Sequence, residues 1–298
     1  MTFEKNLIAA LKEIDTPKKS KWYCDRSNCD GEPHDEWHWC DHPNGEHESH
    51  TWTCRHARAA QHPPPGEWAV WMFLGGRMTG KTRAGAEWLA HQVRLHPERW
   101  WLVIGKSIKQ TREVSLEGPS GLLMALGLTP TSKEYNRTTG EIRLKNGTVI
   151  LSRSAEEPNT LKGPNFAGAW ADEISSWHYA DETWAELELA TRIEVGGEVP
   201  KKVVTTTPAG TKLVRRLVND PETKVTRGIS ADNIKNVSKR AYDELLRQWQ
   251  GTRKGRQELF GELIEDVEGA LWNDDLIEST TILNVPGMKP ALFASKED

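Results

Sequence analysis

The sequence predicts an α/β protein with a mainly parallel central sheet flanked by helices, and three features carry that expectation. Apolar runs of strand length alternate with stretches of helical spacing from Glu67 onward. Two of those runs, residues 68–74 and 100–104, are apolar almost throughout, as strands covered on both faces are. The helical stretches end at breakers, so each unit is short enough to lie across a sheet.

Residues 68–74 form the first buried strand. Residues 82–96 follow as an amphipathic helix, with Ala84, Trp88, Leu89 and Val93 on neighbouring turns and Pro97 as its stop. Residues 100–104 form a second buried strand. Residues 141–152 read as a hairpin whose tip, Asn146-Gly147, suits a type I′ turn. Residues 167–171 and 202–204 are two further short strands. Beyond Gly228 the chain turns mostly helical, with one amphipathic stretch over 238–250 and another helix over 255–264.

Hydrophobic residues are 37% and charged residues 28% of the 298, a balance that excludes the disordered and membrane-embedded classes. No apolar run reaches bilayer length. Residues 1–21 mix charges with Leu7, Ile8, Leu11 and Ile14, which predicts a short amphipathic helix rather than a secretory leader, so the expected home is the cytoplasm. The formal net charge is −4, so any contact with a polyanion must use a local basic face. Pro63, Pro64, Pro65 and Gly66 make a stiff boundary. The expected organisation is an N-terminal segment over 1–60, an α/β core over 61–228, a helical subdomain over 229–276 and a linker over 277–298.

The N-terminal segment holds all four cysteines, Cys24, Cys29, Cys40 and Cys54, among many histidines. In a cytoplasmic chain such a cluster suggests a metal before disulfides. Zn²⁺ takes four nitrogen or sulfur ligands in a tetrahedron, and Cys24, Cys29 and His34, with Cys54 or His56 as the fourth, are the candidates. A solvated, His-rich insertion without metal is the plainer reading.

Gly75-Gly76-Arg77-Met78-Thr79-Gly80-Lys81-Thr82 fits G-x-x-x-x-G-K-[ST], with a strand before it and a helix after it. Gly75, Gly76 and Gly80 let the backbone curl so that amide N–H groups face phosphate oxygens. The positive end of the following helix points to the same place. Lys81 would neutralise the β- and γ-phosphates of ATP, and the Thr82 hydroxyl would ligate Mg²⁺. The alternative is a glycine-rich turn that binds nothing. Asp172 and Glu173 follow the apolar segment at Ala169, Trp170 and Ala171. Asp172 would hold Mg²⁺ and Glu173 would orient the attacking water. An acidic helix N-terminus would look the same in isolation. Thr205, Thr206 and Thr207 end another strand, where hydroxyls can sense a γ-phosphate or simply reflect strand preference. Together these features predict a P-loop NTPase of the ASCE type.

Several separate stretches then agree: GGRMTGKTRAGAEWL, GPNFAGAWADEISSW, VVTTTPAG and GRQELFGELIEDVEGALW. They resemble the large terminase subunit of tailed phages, with the nearest likeness to phages of actinobacteria, over roughly residues 55–275. The resemblance implies an ATP-hydrolysing motor that forms a homo-oligomeric ring and moves double-stranded DNA into a procapsid. Its implied partners are that DNA, the portal protein and the small terminase subunit, in the host cytoplasm and with no membrane. It also implies that Gln61 recognises adenine, that Thr205, Thr206 and Thr207 couple hydrolysis to DNA movement, and that Arg77 stabilises transition-state charge. An exposed loop charge is the plainer reading of Arg77. Met78 stands where glycine is common, which stiffens the loop. Lys162 stands where arginine is common and loses the bidentate fork. The family continues into an RNase H-like nuclease, and no such segment is expected in this chain. Lys201, Lys202, Arg215, Arg216, Arg253, Lys254 and Arg256 are candidate DNA-backbone contacts, each of which could equally be ordinary surface charge. The alternatives are another DNA-stimulated, helicase-like ATPase, or a non-catalytic terminase fragment that binds nucleotide or portal.

Overall fold

The computed structural model describes residues 57–264, and the strands within them build one mixed sheet. In chain order they are β1 Val70–Gly75, β2 Trp100–Gly105, β3 Tyr135–Asn136 and β4 Glu141–Arg143. They continue with β5 Val149–Ser154, β6 Gly168–Asp172, β7 Lys201–Thr206 and β8 Thr223–Gly228. The spatial order of this 8-stranded sheet is β3-β4-β5-β2-β6-β7-β1-β8. From β5 to β8 every neighbouring pair is parallel, and β3 and β4 add an antiparallel edge.

The buried strands alternate their side chains between two cores, as a pleated strand must. On β1, Trp71 and Phe73 enter the core beneath α1 (Lys81–Leu95), with Trp88, Leu89, Trp101 and Trp170. Val70, Met72 and Leu74 enter the opposite core, with Phe166, Trp184, Leu187 and Leu213. That second face is covered by α3 (Ala180–Ala190) and α4 (Lys212–Val218), while the short α2 (Leu122–Leu126) joins α1 on the first. The first core is built around indoles: Trp88 lies 6.2 Å from Trp101 and 6.4 Å from Trp68, in edge and tilted contacts. Among the described residues the helical region includes α5 (Lys239–Trp249) and α6 (Arg253–Phe260), capped by the hydroxyls of Ser238 and Thr252.

The strands at 68–74, 100–104, 167–171 and 202–204 and the helix at 82–96 fall within a residue or two of their expected bounds. The 141–152 hairpin forms, but its turn is not type I′. That turn needs positive φ at both central residues, and Asn146 does not adopt it. Gly147 alone is left-handed, at φ +82. The Asn146 side chain instead holds the turn, donating to Val93 O at 2.9 Å and accepting from Thr148 N at 3.1 Å. The helix expected over 255–264 is Arg253–Phe260, ended by Gly261 at φ +65. Lys202, proposed as a DNA contact, is 8% exposed, because β7 lies inside the sheet between β6 and β1. Burial lowers its pKa, and it is not a surface cation. Among the described residues no helix is long and apolar enough to cross a membrane.

The sheet order places β6 and β7 between β2 and β1, so the C-terminal ends of β1, β6 and β7 lie side by side. In open α/β sheets such an edge is where functional side chains gather. Here α1 must press closely on β6, and Gly85 makes that possible. A Cβ at Gly85 would stand 2.2 Å from Trp170 Nε1. Gly85→Ala is therefore expected to cost about 1–3 kcal/mol in urea unfolding, the usual range for overpacking. An unchanged midpoint would mean that α1 is free to shift away from Trp170.

Candidate active site

The turn between β1 and α1 is built by three unusual backbone demands. Gly76 lies against α6, where an added Cβ would meet Glu258 O at 2.0 Å. Gly80 caps α1 from the left-handed region at φ +80. Met78, where the sequence lacks the expected glycine, sits at φ +60, a conformation costly for a residue with a side chain. Lys81 opens α1 and is buried at 8% exposure. Its Nζ donates to Gly76 O at 2.9 Å and lies 3.6 Å from Glu173 Oε1.

Asp172 is the last residue of β6, and Glu173 follows it at φ +51. This left-handed turn lets two consecutive carboxylates reach one place as the chain leaves the sheet. The Glu173 amide donates to Thr205 O at 2.6 Å, and Ser176 Oγ donates to Glu173 O at 2.8 Å. Asp172 is 4% exposed, and its two oxygens accept from Ser115 Oγ and Thr205 Oγ1, each at 2.7 Å. Burial first, and the adjacent Glu173 charge second, push the Asp172 carboxyl above its ordinary value, while the two hydroxyls and Lys81 act the other way.

The three threonines join this cluster directly. Thr205 Oγ1 accepts from Trp170 Nε1 at 2.7 Å while donating to Asp172. Thr206 Oγ1 accepts from Ser175 N at 3.1 Å. Thr207 donates to Glu173 Oε2 through both its amide and its hydroxyl, each at 3.3 Å. Ser115 was not foreseen. It lies in a π-helical turn, Thr111–Leu116, and nothing local in its sequence marks it as a carboxylate partner.

Beside the turn lies a cavity of about 630 Å³ whose wall includes Gln61, Gly80, Lys81, Thr82, Asn233 and Asn236. Gln61 is 2% exposed, with Nε2 donating to Gly80 O at 2.9 Å and Oε1 accepting from Arg58 N at 3.1 Å. Arg77 points toward the helical region, 3.4 Å from Glu258 Oε2 and 4.9 Å over the Trp249 ring. Lys162 pairs with Glu186 at 3.5 Å. Arg216 pairs with Asp181 at 3.2 Å, Lys201 lies 5.1 Å over the Trp68 ring, and Lys254 lies 5.6 Å over Trp249. The zinc candidates Cys24, Cys29, His34, Cys54 and His56 lie outside the described residues, as do the helix expected at 1–21 and the linker at 277–298. Among the described residues no cluster of three or more His, Cys, Asp or Glu is arranged to hold a metal ion.

Fold and site together define a mixed α/β domain whose ammonium, carboxylates and hydroxyls converge at the C-terminal edge of its parallel strands. The chain belongs to the terminase large subunit family: residues 72–279, more than half its length, match the model for the N-terminal region of the T4-like-virus type. No curated protein matches it. Among solved structures, the large terminase of a thermophilic bacteriophage in complex with ATP-gamma-S is 16% identical, with a TM-score of 0.50. The match covers 72% of this chain and 51% of that one. The large terminase ATPase domain of Thermus phage P74-26 is 14% identical over 67% of this chain and 90% of that one, with a TM-score of 0.49. The HK97 bacteriophage large terminase is 15% identical over 65% and 47%, with a TM-score of 0.49. The chain thus spans about half the length of the first and third of these large terminases.

The hydroxyl of Thr205 stands between Trp170 and Asp172, and removing it leaves a buried donor and a buried acceptor each short of a partner. Thr205→Val should lower stability by about 1–3 kcal/mol, a cost set by the stranded groups rather than by lost volume. Equilibrium urea unfolding checks this, and a loss no larger than that of a surface Thr→Val control would contradict it.

Proposed function

We propose that this chain is the ATP-hydrolysing motor part of a DNA-packaging terminase, built as a P-loop NTPase of the ASCE type. One observation carries the reading: Lys81, on the turn after β1, faces Glu173, next to a buried Asp172 at the end of β6. Membership of the terminase large subunit family supports it, and so does the shared fold of the thermophilic-bacteriophage large terminase bound to ATP-gamma-S.

In this reading Gly75, Gly76 and Gly80 shape the turn around the triphosphate of ATP, and the Lys81 ammonium neutralises the β- and γ-phosphates. The donor set suits Mg²⁺, because Asp172 and Thr82 offer hard oxygens and two adjacent carboxylates against one ammonium leave negative charge to balance. Bound there, Mg²⁺ would neutralise charge developing on the phosphate oxygens. Asp172 and Thr82 would hold it, with Ser115 and Thr205 orienting the Asp172 carboxylate.

Glu173 orients the attacking water and takes its proton at a carboxylate oxygen. Thr207 holds Glu173 Oε2 and Lys81 lies near Oε1, so the base is constrained from both sides. Thr205, Thr206 and Thr207 then carry the coupling role, since they bond directly to the two carboxylates or to the turn beside them. The remaining features of the proposal are Arg77 as a transition-state cation, Zn²⁺ in the N-terminal segment and assembly as a ring in the host cytoplasm. Double-stranded DNA, the portal protein and the small terminase subunit are the partners it requires.

ATP hydrolysis by the purified chain, with and without double-stranded DNA, tests the reading. Lys81→Ala should lose nucleotide binding and turnover together. Glu173→Gln should keep nucleotide binding while turnover falls by about 10²–10⁴-fold, the usual contribution of a positioned base. Undiminished turnover in both variants would refute the assignment.

A further inference from the structure

Every backbone carbonyl of the turn from Gly76 to Gly80 is held. Gly76 O accepts from Thr79 Oγ1 and Lys81 Nζ, both at 2.9 Å. The next four each accept from a side chain remote in sequence. Arg77 O takes Ser230 Oγ at 2.7 Å, and Met78 O takes Asn233 Nδ2. Thr79 O takes Arg58 Nη2 at 2.6 Å, and Gly80 O takes Gln61 Nε2 at 2.9 Å. Two donors precede β1, and two belong to the 3-10 turn Ser230–Asn236 after β8. The two arms also grip each other. Arg58 Nη1 donates to Asn233 Oδ1 at 2.6 Å, and Asn236 Nδ2 donates to the same oxygen at 2.9 Å.

A trans peptide unit points its C=O and N–H in opposite directions. Drawing the carbonyls of residues 77–80 outward therefore turns the amides of residues 78–81 toward the other side of the turn, while the Arg77 amide donates to Glu258 O at 2.8 Å. That orientation needs outside help at residues 77–79, because no sheet ladder spans residues 76–80 and Met78 is held at φ +60, whereas Gly80 O also accepts from Ala84 N of α1 at 3.1 Å. The amide of Gln61, in the cavity wall, is committed at both ends to backbone.

We propose that Arg58, Gln61, Ser230 and Asn233 are positioning residues, a two-armed brace that holds the turn in its phosphate-binding shape and so sets nucleotide affinity irrespective of the base. The proposal rests on the motor reading, because it assumes that the turn takes a nucleoside triphosphate. It differs from the family expectation for Gln61, which would make that residue a reader of adenine.

The test is fluorescence titration of the full chain with mant-labelled ATP and GTP, beside steady-state kinetics. Arg58→Met and Asn233→Leu should each weaken nucleotide affinity about tenfold, as loss of a charge-assisted or buried hydrogen bond does. Turnover at saturating ATP should fall less than about threefold, so the loss sits in KM. The double variant should lose less than the product of the two single losses, because the residues share one bond. Arg58→Lys should recover part of the affinity, and Gln61→Ala should weaken ATP and GTP by the same factor.

Thermal unfolding identifies folded variants, with Asn233→Asp as the shape-preserving substitute where Asn233→Leu does not fold. Amide exchange of peptides over 76–81 in the nucleotide-free protein should quicken in each folded variant. Unchanged affinity and exchange in the variants, or a Gln61→Ala loss confined to ATP, would overturn the brace while leaving the motor reading intact. A wild-type chain that binds neither nucleotide overturns both.

Discussion

Two consecutive carboxylates at the end of a buried strand are the constraint around which this domain is arranged. Asp172 is 4% exposed, and burying a carboxylate is tolerable only if its oxygens find donors. Ser115 and Thr205 supply those donors from two different elements, one on each side of β6. Glu173 avoids the same burial through the left-handed turn at φ +51, which swings its side chain toward Lys81 and Thr207. Without that turn, consecutive side chains leaving a strand would point to opposite faces.

The sheet order follows from the same need. Asp172 and Thr205 are register partners on β6 and β7, and Thr205 is in turn opposite Phe73 on β1. The three strand ends that carry the site are therefore neighbours by hydrogen-bonded pairing rather than by loop placement. Rigid elements position reacting groups more tightly than loops do. The indole of Trp170 extends this rigidity inward, because its pyrrole edge bonds Thr205 and fits against Gly85 of α1. Packing of the first core is thus connected to the orientation of Asp172 by two side chains, Trp170 and Thr205.

Much of this was legible in the sequence because the signals were local. The runs that became β1 and β2 are apolar on both faces, and the glycine-rich turn carries its residues within one short stretch. Asp172 and Glu173 could be placed at a strand end for the same reason. The edge strand β8 went unread, since TKVTRG is polar and half-covered and lacks the buried strand's apolar signature. The hairpin tip departs from a type I′ turn because Asn146 holds its turn through its side chain, not through positive φ. Ser115, Arg58, Ser230 and Asn233 carry no local mark at all. Their roles arise from pairings of 57, 21, 153 and 155 residues' separation, which only the folded topology brings about.

The site consists of two hydrogen-bonded halves that are largely independent. One is the carbonyl side of the turn, held by residues from before β1 and after β8. The other is the carboxylate side, held by hydroxyls from β7 and the π-helical turn. Lys81 joins them, with its ammonium at 2.9 Å from Gly76 O and 3.6 Å from Glu173 Oε1. A change of partner at that ammonium therefore alters the balance in both halves at once. Four side-chain donors hold the carbonyls of the turn, and the Thr207 bonds hold the Glu173 carboxylate. The groups on either side of the lysine are thus fixed by bonds of their own, which is the physical sense in which this arrangement is preorganised.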